Sequence, residues 1–151
     1  MKILFADDDI SHEPDKDWMY TELLAAMKFK DISGSVDVAR DGQATDNMLS
    51  TTEYEGIILD IQMGAGETPL QFLDNIPRYR IGLEILKKII RGEYKNNQKT
   101  PLIVLTGTAV AEDLRELNEI EAEKNSHVKV CMKPIEMEDV LDKLCELSKS
   151  L

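Results

Sequence analysis

Along this chain, short β-rich apolar runs alternate with longer segments whose apolar positions recur with helical period, the pattern of βαβ units and a parallel sheet. The runs KILFA (2–6), SVDVA (35–39), GIILD (56–60), PLIVL (101–105) and VKVCM (128–132) read as five strands. Helices are expected at about 14–29, with Pro14 in the first turn; at 42–51; at 78–91, ending before Gly92; at 109–124; and at 136–149. The last two carry the core-facing stripes Val110, Leu114, Leu117, Ile120 and Val140, Leu144, Leu147. No internal repeat or low-complexity tract interrupts the alternation.

One connection breaks the rhythm. Loops between a strand and the next helix usually hold 2–6 residues. After Asp60, however, the helical pattern is not secure until about Arg78, across IQMGAGETPLQFLDNIP. An inserted loop is expected at about 64–78. Leu70, Phe72, Leu73 and Ile76 within it require cover, so it is either a solvated loop without a task or a segment that repacks over the neighbouring site.

Composition narrows the functional classes. A chain of 151 residues with 42% apolar content fits a single domain over 1–151. A net charge of −11 repels phosphate backbones and anionic lipid, which argues against direct nucleic-acid binding. No apolar run reaches the roughly 20 residues of a membrane span, and the charged start MKILFADDD is not a signal peptide, so a cytoplasmic location is expected. Cys131 and Cys145 lack metal-ligand spacing and read as reduced structural thiols. His12 and His127 have no companion at ligand or triad spacing, and the methionines and Trp18 read as core residues.

The chemistry gathers where the strands end. Ligands of open parallel α/β sheets bind outside the carboxyl ends of the strands, near the point where strand order reverses. Strand one is followed by Asp7, Asp8 and Asp9, strand three ends in Asp60, strand four is followed by Thr106 and Gly107, and strand five by Lys133 and Pro134. Strand two delivers only Arg40 and Asp41. A flavodoxin-like, doubly wound five-stranded sheet of order 2-1-3-4-5, with helices on both faces, makes the four strands that bear these groups neighbours. Three adjacent carboxylates repel one another and need a cation nearby. Mg²⁺, an oxygen-seeking ion often held by a couple of carboxylates together with phosphate oxygens, meets that need beside Lys133. With a hydroxyl in the same place, the set fits phosphoryl transfer onto a carboxylate.

The ordered motifs ADDD, ILDIQM, VLTG and MKP resemble those of the receiver domain of two-component response regulators, the CheY-like superfamily, over nearly the whole chain. The resemblance implies that Asp60 is the phosphoacceptor and that Mg²⁺ is held by Asp7, Asp8, Asp60 and the backbone carbonyl of Gln62. Asp8 would be a direct ligand and Asp7 would act largely through water. It further implies that Thr106 hydrogen-bonds the phosphoryl group, that Lys133 pairs with it, that Gly107 leaves it room, and that the Lys133–Pro134 peptide is cis. Asp9 is then an extra acid just outside the metal shell. A histidine kinase or phosphotransfer protein would be the donor partner, and the chain a phosphoacceptor that alters partner binding rather than an enzyme.

Two departures qualify the match. MGAG replaces the usual Met-Pro, with the helix-opening glycine deferred to Gly82, and Val130 stands where the family often has a switching Tyr or Phe. Activation is therefore expected to be reported by residues 64–77. Arg78, Tyr79 and Arg80 form a small basic-aromatic patch, by default a solvated helix start and alternatively a docking site for an acidic partner. Two other readings remain. One is a haloacid-dehalogenase-like phosphohydrolase with Asp7 as nucleophile and Glu136, Glu138 or Asp139 as the further acids. The other is a pseudo-receiver that binds partners without phosphorylation.

Overall fold

The computed structural model describes residues 1–68, 70–107 and 111–150. Five strands, β1 (Lys2–Ala6), β2 (Ser35–Ala39), β3 (Gly56–Asp60), β4 (Leu102–Thr106) and β5 (Val128–Met132), form one sheet. Its order is β2-β1-β3-β4-β5 and every adjacent pair is parallel. The helices are α1 (Trp18–Phe29), α2 (Gly42–Thr51), α3 (Ile81–Ile90), α4 (Ala111–Ala122) and α5 (Met137–Ser150). The flavodoxin-like expectation is met.

The central strands β1, β3 and β4 are buried on both faces while β2 and β5 at the edges are partly exposed, and the two-residue strand period sorts the side chains into two cores. Leu4, Ala6, Ile57, Leu59, Leu102, Val104 and Val128 face a cluster completed by α2, α3 and Leu117 of α4. Ile3, Phe5, Ile58, Ile103, Leu105 and Cys131 face the opposite cluster, completed by α1 and α5. Among the described residues no helix is long and apolar enough to cross a membrane. Both cysteines are free thiols.

Most element boundaries match the sequence pattern, and the differences have local causes. Pro14 opens a separate 3-10 turn, Pro14–Lys16, rather than α1. Asp17 then adopts an extended conformation and caps α1, its side chain accepting the Met19 and Tyr20 N–H groups. β4 lies one residue later than expected, which makes Thr106 its last residue instead of the residue after it. The expected start of the fourth helix at 109, with Val110 on its core stripe, lies outside the described residues, as does Leu151 at the end of the fifth. Trp18 is not a core residue: as the first residue of α1 it is 64% exposed, and Met132 is 50% exposed.

The long connection at 64–78 packs its apolar side chains against the body of the protein while its polar residues face solvent. Its Gly64 and Ala65 carbonyls accept the Gly42 and Gln43 N–H groups at the start of α2, at 2.8 and 2.9 Å. Leu73 is buried, and Phe72 and Ile76 pack against the core that holds α2 and α3. The Lys88 ammonium lies 4.0 Å from the centre of the Phe72 ring. Short 3-10 turns at Gln71–Leu73 and Arg78–Arg80 carry the chain back to α3, so the helix expected from 78 begins at Ile81. There Gly82 donates its N–H to the Ile61 carbonyl at 2.8 Å. A Cβ at Gly82 would stand 2.2 Å from the Asp60 carbonyl oxygen, which only a glycine avoids. The insertion thus loops out and returns to the residue from which it left.

Candidate phosphoacceptor and metal site

The acids and the lysine converge at the carboxyl edge of the sheet, as the strand order requires. Asp7 follows β1 and is kept in line by its N–H bond to the Ala39 carbonyl, 3.0 Å. Its side chain is fully buried. One oxygen accepts the Asp9 N–H at 2.9 Å and the other the Lys133 ammonium at 3.1 Å. Asp60, the last residue of β3 and 4% exposed, mirrors this arrangement. It accepts the Gln62 N–H at 3.0 Å and the Lys133 ammonium at 2.8 Å. Lys133 is itself positioned by its N–H bond to the Thr106 carbonyl, 2.8 Å, and the Lys133–Pro134 peptide is cis. Thr106 is buried at the end of β4.

Electrostatics follow from this crowding. The Asp7 carboxyl is raised to about 6, first by burial and then by repulsion from Asp60, against the lowering influence of Lys133 and the Asp9 N–H. Burial works against the charged form of Lys133, but its hydrogen bond to Asp60 and the charge of Asp7 outweigh it and raise the ammonium further. The lysine is a fixed cation shared by two acids.

One carboxylate oxygen from each of Asp7, Asp8, Asp9 and Asp60 lies within 4.8 Å of the others. An all-oxygen set at this spacing fits a hard divalent cation. Asp9, expected just outside the metal shell, belongs to the same cluster, because its N–H bond to Asp7 curls the chain back over the site. A cavity of about 220 Å³ opens onto the cluster, lined by Asp8, Asp9, Asp60, Gln62, Arg78, Gly107 and Lys133. A larger groove of about 780 Å³ beside it contains Glu136 and Asp139 and shares only Asp9 and Lys133 with the cluster. Glu136 and Asp139, as dehalogenase acids, therefore line a different depression from Asp60.

Two residues acquire contacts that the sequence pattern did not indicate. Arg78, expected in a solvated helix start or docking patch, forms an ion pair with Asp8. Arg80, two residues on, instead pairs with Asp113 of α4 at 3.1 Å. The only hint of the Arg78 contact was charge balance, since four clustered acids exceed what one lysine neutralises. His12 sits against the Arg40 guanidinium and His127 against the Thr100 carbonyl, both away from the acids. Asp41 caps α2 by accepting the Ala44 N–H at 2.7 Å.

No family model matches the chain, and no curated protein matches it in sequence. Solved structures do match in fold. The receiver domain of the Francisella response regulator 1452 is 22% identical, with 99% of this chain and 97% of that one covered at a TM-score of 0.58. A CheY-like response regulator receiver domain protein from Methanospirillum hungatei is 19% identical, with 99% and 98% covered at a TM-score of 0.61. The chemotaxis response regulator CheY4 of Vibrio cholerae is 20% identical, with 97% of each chain covered at a TM-score of 0.61. The chain has the fold of a response-regulator receiver domain, the CheY-like form of the flavodoxin-like sheet.

Proposed function

We propose that this chain is a phosphoacceptor signalling module, one receiver unit over 1–151 with an inserted segment at about 64–78. Asp60 is the phosphoacceptor. One of its carboxylate oxygens bonds to phosphorus as the phosphorus–nitrogen bond of a phosphohistidine breaks, the donor being a histidine kinase or phosphotransfer protein. Asp7, Asp8, Asp60 and the Gln62 backbone carbonyl would hold Mg²⁺, which when bound offsets charge on the phosphoryl oxygens. Lys133 pairs with the transferred group and the Thr106 hydroxyl donates to it, while Gly107 leaves space. Partner binding, not turnover of a substrate, is the output, in the cytoplasm and without direct contact to nucleic acid or membrane.

The observation that carries this reading is the single Lys133 ammonium bridging Asp60 at 2.8 Å and Asp7 at 3.1 Å within a four-carboxylate cluster. It gives Asp60 a role that the dehalogenase reading does not, and the shared fold supports the same assignment. Incubation with a small phosphodonor and Mg²⁺, followed by intact mass, tests it. Wild type should gain one phosphoryl group and Asp60→Asn none. Persistent labelling of Asp60→Asn would overturn the proposal.

A further inference from the structure

Arg78 belongs to no part of the proposed phosphoryl chemistry, yet its guanidinium rests on Asp8, one of the acids assigned to the metal. Three features make this contact more than a surface pair. The Arg78 backbone is tied down by its carbonyl, which accepts the Met63 N–H at 3.2 Å, so the side chain is aimed from a fixed base close behind Asp60. It runs past Gly64, where even a Cβ would stand at an ordinary contact distance of 3.5 Å from a guanidinium nitrogen, so the main chain leaves its path open. At its far end Arg78 lines the same cavity as Asp8, Asp9, Asp60 and Lys133.

The two partners differ in freedom. The Asp8 side chain is 12% exposed and held in the cluster, whereas that of Arg78 is 59% exposed and has an open route to water. A guanidinium keeps its charge at every accessible pH, so it leaves a carboxylate only by moving. A divalent ion approaching the cluster meets Asp8 already paired with a cation. We propose that Arg78 is a tethered competitor of the divalent cation for Asp8, so that metal loading frees the Arg78 side chain at the end of the inserted segment. This rests on the metal site of the proposed function. The coupling is reciprocal: whatever Arg78 takes from metal affinity, bound metal takes from the grip of Arg78 on Asp8. The insertion thereby becomes a sensor of metal loading.

Calorimetric titration with Mg²⁺ of wild type, Arg78→Ala and Arg80→Ala tests the idea. Arg80 carries the same charge two residues away but pairs with Asp113 instead of the cluster, so it controls for a general loss of positive charge. Because one partner is largely exposed, Arg78→Ala should bind Mg²⁺ about two- to fivefold more tightly than wild type, with Arg80→Ala unchanged. Equal or weaker binding by Arg78→Ala overturns the competition, as does equal tightening by both variants. If no variant, nor wild type, binds Mg²⁺, the metal site itself fails and the competition with it, an outcome distinct from binding that ignores Arg78.

Discussion

Asp7 shows how one buried residue sets the character of the site. Its carboxyl is raised from the ordinary 3.8 to about 6, by burial first and by Asp60 second. In metal-free protein the folded state therefore holds a proton that the unfolded chain has already released between about pH 4 and pH 6. The native state binds more protons there, so stability falls as pH rises through that window, and the full penalty persists above it. Asp7→Asn should accordingly be more stable than wild type at neutral pH in chelator, by about 1 to 3 kcal/mol, with the difference closing below about pH 4. Denaturant unfolding across pH measures it, and parallel profiles for the two proteins would contradict the assignment. At this scale the sequence was informative wherever strand ends supplied the group. Asp7, Asp8, Asp60, Thr106 and Lys133 could be placed because a parallel sheet brings its carboxyl ends together. Arg78 could not, since its position depends on the path of an irregular segment that neither period nor motif describes. Trp18 was misread because helical period assigns it to a face but not to the exposed start of α1.

Among the elements, the insertion carries the departures from expectation. Its apolar residues called for cover, and Leu73, Phe72 and Ile76 find it against the core beside α2 and α3. What the pattern could not convey is where the segment returns. The close approach of Gly82 to Asp60 and Ile61 fixes that point, so α3 still opens beside the end of β3. Gly82→Ala would push a methyl group within 2.2 Å of the Asp60 carbonyl oxygen and 2.5 Å of the Ile61 Cα, both backbone atoms that cannot rotate away. We expect a loss of about 2 to 3 kcal/mol together with slower labelling of Asp60. Gly64→Ala, whose Cβ would meet only an arginine side-chain nitrogen at 3.5 Å, serves as the mild counterpart and should change stability little. Thermal unfolding of the pair decides, and equal stability of the two variants would mean that the return point is not tightly set. Leu73→Ala should cost about 2 to 4 kcal/mol if the insertion is part of the core, and almost nothing if it is a detachable loop.

For the whole molecule, the order of five strands accounts for the site: β1, β3, β4 and β5 are neighbours, so acids and a lysine separated by more than a hundred residues meet in one crevice. The same order concentrates negative charge in a chain whose net charge is already −11, and folding without a cation must bear that repulsion. Mg²⁺ should therefore stabilise the protein by about 2.7 kcal/mol at a hundredfold excess over its Kd, and Asp8→Ala should remove the effect. A melting temperature unmoved by millimolar Mg²⁺ would count against the metal site. The central claim is that phosphate enters on Asp60, and chemical trapping addresses it most directly. The acyl phosphate formed with a small phosphodonor and Mg²⁺ is reduced with borohydride, and the altered peptide is sequenced. The account predicts a single modified residue, Asp60, lost when Mg²⁺ is chelated; modification at Asp7 would contradict it.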